Sequence, residues 1–379
     1  LQRGKARLSN RSERFAIVAN AGRERLTMTV RIAANFGAKA VRLLEPEAAH
    51  RATVRMMASP FAPRFHVRSD PMLACRVAGI DFPNPIGLAA GFDKNAQAPN
   101  AMLRLGFGFV EVGAVTPKAQ PGNDRPRVFR LSEDEAVINR YGFNNDGLEK
   151  IAGRLARRKR VGVVGVNLGA NKDSKDRIED FVTGVRRLEG LVDFCTVNIS
   201  SPNTPRLRAL QDKAALVELL SRVIDARNAL KAKAPVFLKV APDLADADKA
   251  DIAAAAVEQK IDALIVSNTT IARPATLQSA HRSETGGLSG RPLFIPSTVL
   301  LKEFRQTLGD RLPLIGVGGV SSLDDAYVKI RAGASLVQLY TALIYKGPKL
   351  VADIVEGLPA RLKADGFLSI AEAVGAAAR

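Results

Sequence analysis

The chain has 379 residues, 56 Lys and Arg against 38 Asp and Glu, a formal charge of +18, and 46% hydrophobic residues with 30 glycines and 20 prolines. That length allows one broad α/β barrel or two smaller domains, and the composition excludes a disordered or collagenous chain. Two distant cysteines, Cys75 and Cys195, and three histidines, His50, His66 and His281, argue against a disulfide scaffold or a histidine-rich centre, so no metal is expected.

The basic residues are spread along the chain rather than gathered, and with no Trp and only four Tyr there is little to stack on bases. No nucleic-acid partner is expected; an anionic small substrate, an anionic membrane surface or plain solubility accounts for the charge. No apolar segment reaches the roughly 20 residues that span a bilayer.

Residues 1–28 read as a polar extension. Phe15 to Ala21 is too short for the apolar centre of a signal peptide and is followed by Arg23 and Arg25, and Met28 stands where an alternative start would lie. Residues 29–62 form a basic, amphipathic helical region broken near Glu45-Pro46, with Pro46 and Glu47 suited to a first helical turn. Its apolar side chains could dock on the main domain, or the two short helices could lie in a membrane interface. Pro60, Pro63 and Pro71 mark a linker.

From there short apolar runs alternate with helical stretches. The expected strands are Pro85 to Ala90, Phe109 to Val115, Val161 to Leu168, Phe194 to Ile199, Val236 to Val240, Ala263 to Ser267, Leu314 to Val317 and Ser335 to Leu339. Helical periodicity marks Ala214 to Leu230, Leu244 to Glu258, Thr298 to Leu308 and Ser322 to Ala332. About eight strand-then-helix units predict parallel strands closed into a (β/α)₈ TIM barrel over residues 72–362, preceded by the helical extension and followed by a tail at 363–379. Thr116 to Asn144 departs from the rhythm and reads as a long excursion containing a short hairpin.

Polar and glycine-rich residues fall just after the apolar runs, so a barrel would collect them at one mouth. Lys94 in Ala90-Gly91-Phe92-Asp93-Lys94-Asn95 can set a compact charge beside an anionic ligand. In Asn198-Ile199-Ser200-Ser201-Pro202-Asn203-Thr204-Pro205 the amides match the edges of a pyrimidine-like ring, although the same residues serve as turn formers. Ser201 alone is a poor base and needs assistance. Lys239, inside an apolar run, needs a partner, and Gly286 to Pro292 and Ile315 to Val320 offer backbone N–H groups for a phosphate. Neither glycine stretch has the spacing of a dinucleotide fingerprint or a nucleotidase loop. His281 has no acidic partner in sequence, and Cys195 reads as a core residue.

Ala89-Ala90-Gly91-Phe92-Asp93-Lys94, Pro121-Gly122-Asn123, Asn139-Arg140-Tyr141-Gly142-Phe143-Asn144-Asn145 and Asn198 to Thr204 together resemble the dihydroorotate dehydrogenases, in family order, from about Leu44 to Gly357. The resemblance implies oxidation of dihydroorotate to orotate, the fourth step of pyrimidine biosynthesis, with one FMN per chain. Ser201 at the base position and the segment Leu43 to His50 resemble class 2, whose acceptor is a quinone such as ubiquinone. That class implies a peripheral protein on the cytoplasmic face of the bacterial inner membrane; monomer and homodimer both stay open. By the same resemblance Ser201 is the catalytic base, and Lys94, Asn139, Arg140, Tyr141, Gly142, Phe143, Asn198, Asn203, Asn268 and Thr269 hold the substrate. Ala90, Gly91, Lys94, Ala114, Asn167, Asn198, Lys239, Ser267, Gly290, Gly319, Tyr340 and Thr341 are implied at the cofactor. Ala114 stands where many relatives carry threonine and cannot supply that side-chain hydrogen bond, and Tyr141 occupies a variable position.

Overall fold

A computed structural model describes residues 28–68, 70–200, 203 and 212–378. Its strands are β1 (Cys75–Val77), β2 (Ile80–Phe82), β3 (Ile86–Leu88), β4 (Phe109–Val115), β5 (Val128–Leu131), β6 (Ala136–Asn139) and β7 (Val163–Leu168). They continue as β8 (Phe194–Asn198), β9 (Val236–Val240), β10 (Ala263–Val266), β11 (Gly287–Gly290), β12 (Leu314–Val317) and β13 (Ala334–Leu339). The parallel strands close in the order β3-β4-β7-β8-β9-β10-β12-β13, returning to β3. The expected eight-stranded barrel is therefore the observed one.

The barrel is filled from within by aromatic rings. Phe194 stacks on Phe237 at 4.6 Å and meets Phe109 edge-on at 6.2 Å, and Phe82 from the β1-β2 hairpin lies 5.2 Å from Phe109. That hairpin closes the bottom. Room for the rings comes from residues without side chains: a Cβ on Gly87 would lie 2.2 Å from the Phe109 ring, and one on Gly165 would lie 2.1 Å from that of Phe194. The stacked layer keeps the lower half solid, so ligands have only the strand C-termini.

The hairpin expected within Thr116 to Asn144 is β5-β6, but it is joined by a third strand. β11 pairs antiparallel with β6, from Gly287 opposite Asn139 to Gly290 opposite Ala136. Its residues, Gly-Leu-Ser-Gly, carry almost no strand propensity, and the strand exists because β6 offers it an edge. The helix expected from Thr298 begins earlier, at Phe294, because Pro296 sits in a first turn where a missing N–H is no loss.

Residues 28–41 form a helix, α1, and Pro46–Ala58 form α2. The Glu45 side chain caps α2 by accepting from the backbone N–H groups of Glu47 (2.9 Å) and Ala48 (2.8 Å). Glu47 is buried between Arg125 and Arg127, with Arg127 donating through Nε at 3.0 Å and Nη2 at 2.9 Å. α1 is held by the forked pair of Arg31 on Glu356, both contacts at 2.8 Å. Both helices are thus fastened to the barrel rim by buried or half-buried ion pairs. The C-terminal segment also docks, with Ile370 and Ala373 buried and Ala377 N–H donating to the Arg331 carbonyl.

Candidate active site

The barrel's polar end opens into a cavity of about 820 Å³ that runs from Lys239 on β9 to α1 and α2. Ala90, Gly91 and Lys94 follow β3, Ala114 is in β4, and Asn139, Tyr141, Gly142 and Phe143 lie at or after the end of β6. Asn167 is the penultimate residue of β7, Asn198 ends β8, and Asn203 follows it. Ser267, Asn268 and Thr269 follow β10; Gly290, Gly319, Tyr340 and Thr341 follow or end β11, β12 and β13. All of these line the one cavity.

Arg140 is the exception among the described residues that the sequence singles out. Its guanidinium turns outward, pairing with Glu284 at 2.8 Å and lying 4.6 Å over the Phe129 ring, so it secures the loop before β11 instead of facing the cavity. Ser201 lies outside the described residues. His281 packs on Phe129 at 5.5 Å, away from this mouth, and Cys195 is a buried core residue.

The amides form a connected chain. Asn167 Nδ2 donates to Glu111 Oε1 at 2.7 Å, and Asn198 Nδ2 donates to Asn167 Oδ1 at 2.9 Å. Asn268 Nδ2 donates to Asn198 Oδ1 at 3.2 Å and to Ser200 Oγ at 2.9 Å. Asn123 Nδ2 donates to the carbonyls of Arg140 (3.0 Å) and Asn203 (3.3 Å), tying the hairpin excursion to the segment after β8.

Opposite the amides stands Lys94. Its ammonium donates to the Gly91 carbonyl at 2.7 Å, lies 3.3 Å from His50 Nε2 and sits 4.0 Å from the centre of the Tyr141 ring. Burial brings its pKa down to about 7, with Glu47 and Asp93 favouring the charged form and Arg127 opposing it. His50 reaches over from α2 and its Nδ1 lies 3.2 Å from Tyr340 Oη; burial, with Lys94 and Arg51 adding to it, holds the imidazole well below its usual pKa and hence neutral. An anion entering here would restore the charge on Lys94.

The residues present also fit a flat phosphorylated cofactor. Lys239, almost fully buried in β9, has its pKa lowered by burial and supported only by the Glu111 charge, so a negative ligand beside it is favoured. Gln338 Oε1 is buried at the wall with no hydrogen-bond partner among the described residues. At the far side Gly319 has φ +72°, and a Cβ there would lie 2.5 Å from the Phe294 backbone. That closeness leaves bare backbone facing the cavity beside Gly290 and Thr341, whose Oγ1 donates to Ser289 Oγ at 2.9 Å.

Glu47, His50, Glu111, Arg127 and Gln338 were missed as members of the site by sequence reasoning. Glu111 and Gln338 left a signal, a charged and an amide side chain inside apolar strand runs, as Lys239 did. Glu47 and His50 left none, because only the docking of α2 brings them to the mouth.

Residues 72–362 match the family described as Dihydroorotate dehydrogenase. A protein of Parvibaculum lavamentivorans named Dihydroorotate dehydrogenase (quinone) is 58% identical over 335 residues, covering 88% of this chain and 95% of that protein. One of the same name from Xanthobacter autotrophicus is 54% identical over 342 residues, covering 88% and 96%. The crystal structure of the Eimeria tenella enzyme with ferulenol superposes with a TM-score of 0.85 at 40% identity, over 88% of this chain and 96% of that one. On fold and on sequence, this chain belongs to the dihydroorotate dehydrogenase family.

Proposed function

We propose that this chain oxidises (S)-dihydroorotate to orotate, the fourth step of pyrimidine biosynthesis, with one bound FMN and a membrane quinone as the electron acceptor. The observation that carries the reading is that the amide-lined barrel mouth and the apolar passage beside α1 and α2 are a single cavity. A polar ring can be held at one end while an apolar acceptor enters at the other.

Lys94 meets the carboxylate of the substrate, and Asn139, Asn198, Asn203, Asn268 and Thr269 meet the donors and acceptors of its ring. Tyr141, Gly142 and Phe143 close the ring over. Ser201 accepts the proton from C5 while the amides stabilise charge that develops on the ring carbonyls. FMN, when bound, would supply a hydride acceptor and a two-electron carrier toward a quinone. Ala90, Gly91, Asn167, Lys239, Ser267, Gly290, Gly319, Tyr340 and Thr341 would hold FMN, with Ala114 contributing only its backbone. The neutral His50 and the aromatic contact of Phe92 with Tyr340, at 5.7 Å, line the cavity where α2 meets the polar mouth.

Residues 29–62 are the acceptor side of the molecule and residues 72–362 the catalytic barrel. Met28, Ile32, Phe36, Leu43 and Leu44 are exposed on and just beyond α1, and no helix among the described residues is long and apolar enough to cross a membrane. Peripheral attachment through this face to the inner membrane, on its cytoplasmic side, accounts for both.

Anaerobic mixing with dihydroorotate, followed by a water-soluble quinone, tests both halves in one preparation. The flavin absorbance is expected to bleach with the first addition and return with the second. Bleaching only by a reduced pyridine nucleotide, or by no pyrimidine at all, would reject the proposal.

A further inference from the structure

One fully buried charge of the site is not used by the reaction above. Glu111 points inward from β4 with no exposed surface, and both of its oxygens accept amide N–H groups: Oε1 from Asn167 Nδ2 at 2.7 Å and Oε2 from Gln338 Nε2 at 2.5 Å. A carboxylate has nothing to donate, so each amide must turn its NH₂ toward Glu111 and its oxygen away.

The consequence travels along both arms. Asn167 Oδ1 is left to accept from Asn198 Nδ2 at 2.9 Å, which sets Asn198 Oδ1 to accept from the Ser200 hydroxyl at 2.9 Å and from Asn268 Nδ2 at 3.2 Å. Asn268 Oδ1 then accepts from the Thr269 backbone N–H at 2.8 Å. On the other arm, Gln338 Oε1 is left without a partner among the described residues at the cavity wall, an acceptor for an incoming N–H. In an isolated amide the two orientations are equivalent; here reversing any one of them sets two acceptors face to face in a buried site.

We propose that Glu111 is the positioning residue that fixes the donor and acceptor polarity of the whole mouth, committing Gln338 to receive an imide or amide N–H from the bound ligand and Asn198 and Asn268 to one orientation toward the ring beside them. This rests on the reading that the ligands are a flavin and an orotate-class pyrimidine.

Glu111→Gln keeps the size of the side chain but offers one donor and one acceptor group. Either the Asn167 arm or Gln338 must then reverse. Titration of FMN into apoprotein and of orotate into the flavin-loaded protein is expected to show at least about tenfold weaker binding of one of the two, the cost of a mispaired buried amide. Glu111→Gln combined with Asn167→Asp moves the carboxylate one link along. The new amide can accept from Gln338 and donate to position 167, whose carboxylate again accepts from Asn198. Compared with Asn167→Asp alone, which carries the same change at the flavin contact, and with Glu111→Gln alone, this pair is expected to bind whichever ligand Glu111→Gln weakened at least about tenfold more tightly. If Glu111→Gln yields no folded protein, the double variant against Asn167→Asp decides alone, tighter binding by the double supporting the proposal and equal or weaker binding rejecting it.

Wild-type affinity of Glu111→Gln for both ligands, or a double variant no better than the single one, overturns the assignment. A wild-type protein that neither binds orotate nor bleaches with dihydroorotate breaks the functional reading instead, so the two failures are told apart.

Discussion

Lys329 offers a test of how this barrel tolerates charge away from its mouth. It lies on the helix Leu323–Arg331 with no exposed surface, donates to Ser297 Oγ at 2.7 Å and sits 5.4 Å from the centre of the Phe294 ring. No carboxylate is in ion-pair range of it among the described residues, and Asp325, one turn earlier, offsets burial only in part. Burial brings the pKa down to about 7. In the unfolded chain the amine titrates near 10.4. Between those values the unfolded chain carries one proton more than the folded one, so stability rises with pH, by at most ~1.4 kcal/mol per unit. Lys329→Met keeps the length of the side chain and removes that proton. In urea unfolding of the flavin-loaded proteins, the variant is expected to be the more stable near pH 7, and wild type to gain on it by roughly 2 kcal/mol between about pH 7 and pH 9. Parallel stability profiles over that interval would refute the reasoning, because they would mean that folding does not displace the proton.

Glu47→Gln leaves Arg127 buried without its charge and is expected to cost ~3–5 kcal/mol of stability, read from urea midpoints. Since Glu47 is also the leading group that holds Lys94 protonated, orotate binding, which falls as pH rises through about 7, should fall at lower pH in this variant when followed by flavin absorbance; an unmoved profile contradicts the coupling. Gly319→Ala sets a Cβ 2.5 Å from the Phe294 backbone at a φ of +72° and is expected to give colourless protein with at least about tenfold weaker FMN binding; a yellow protein of normal affinity argues against the cradle. Ser201→Ala should keep its flavin but bleach slowly with dihydroorotate in stopped flow, by about 10²-fold or more, and bleaching at the wild-type rate rules that serine out as the base.

The barrel itself was legible in the chain because parallel strands buried on both faces must be continuous apolar runs, and because each needs a crossover helix before the next. Runs such as Phe194 to Asn198 and Val236 to Val240 state this directly, and the polar residues that follow them had to gather at one mouth. Strand β11 was not legible, since Gly-Leu-Ser-Gly becomes a strand only against β6.

What the tertiary structure alone decided is which side chains face one another. Arg140 sits in the middle of the most family-like segment, yet it turns out to Glu284, because a carboxylate from a loop 144 residues later is there to receive it. Glu47 and His50 enter the site only through the docking of α2, and Glu111 acquires its hold on Asn167 and Gln338 only when β4, β7 and β13 are brought round the same axis. Local sequence sets periodicity, caps and turns, since these depend on neighbours along the chain. The pairing of buried polar groups depends on neighbours across the barrel, and those are chosen by closure.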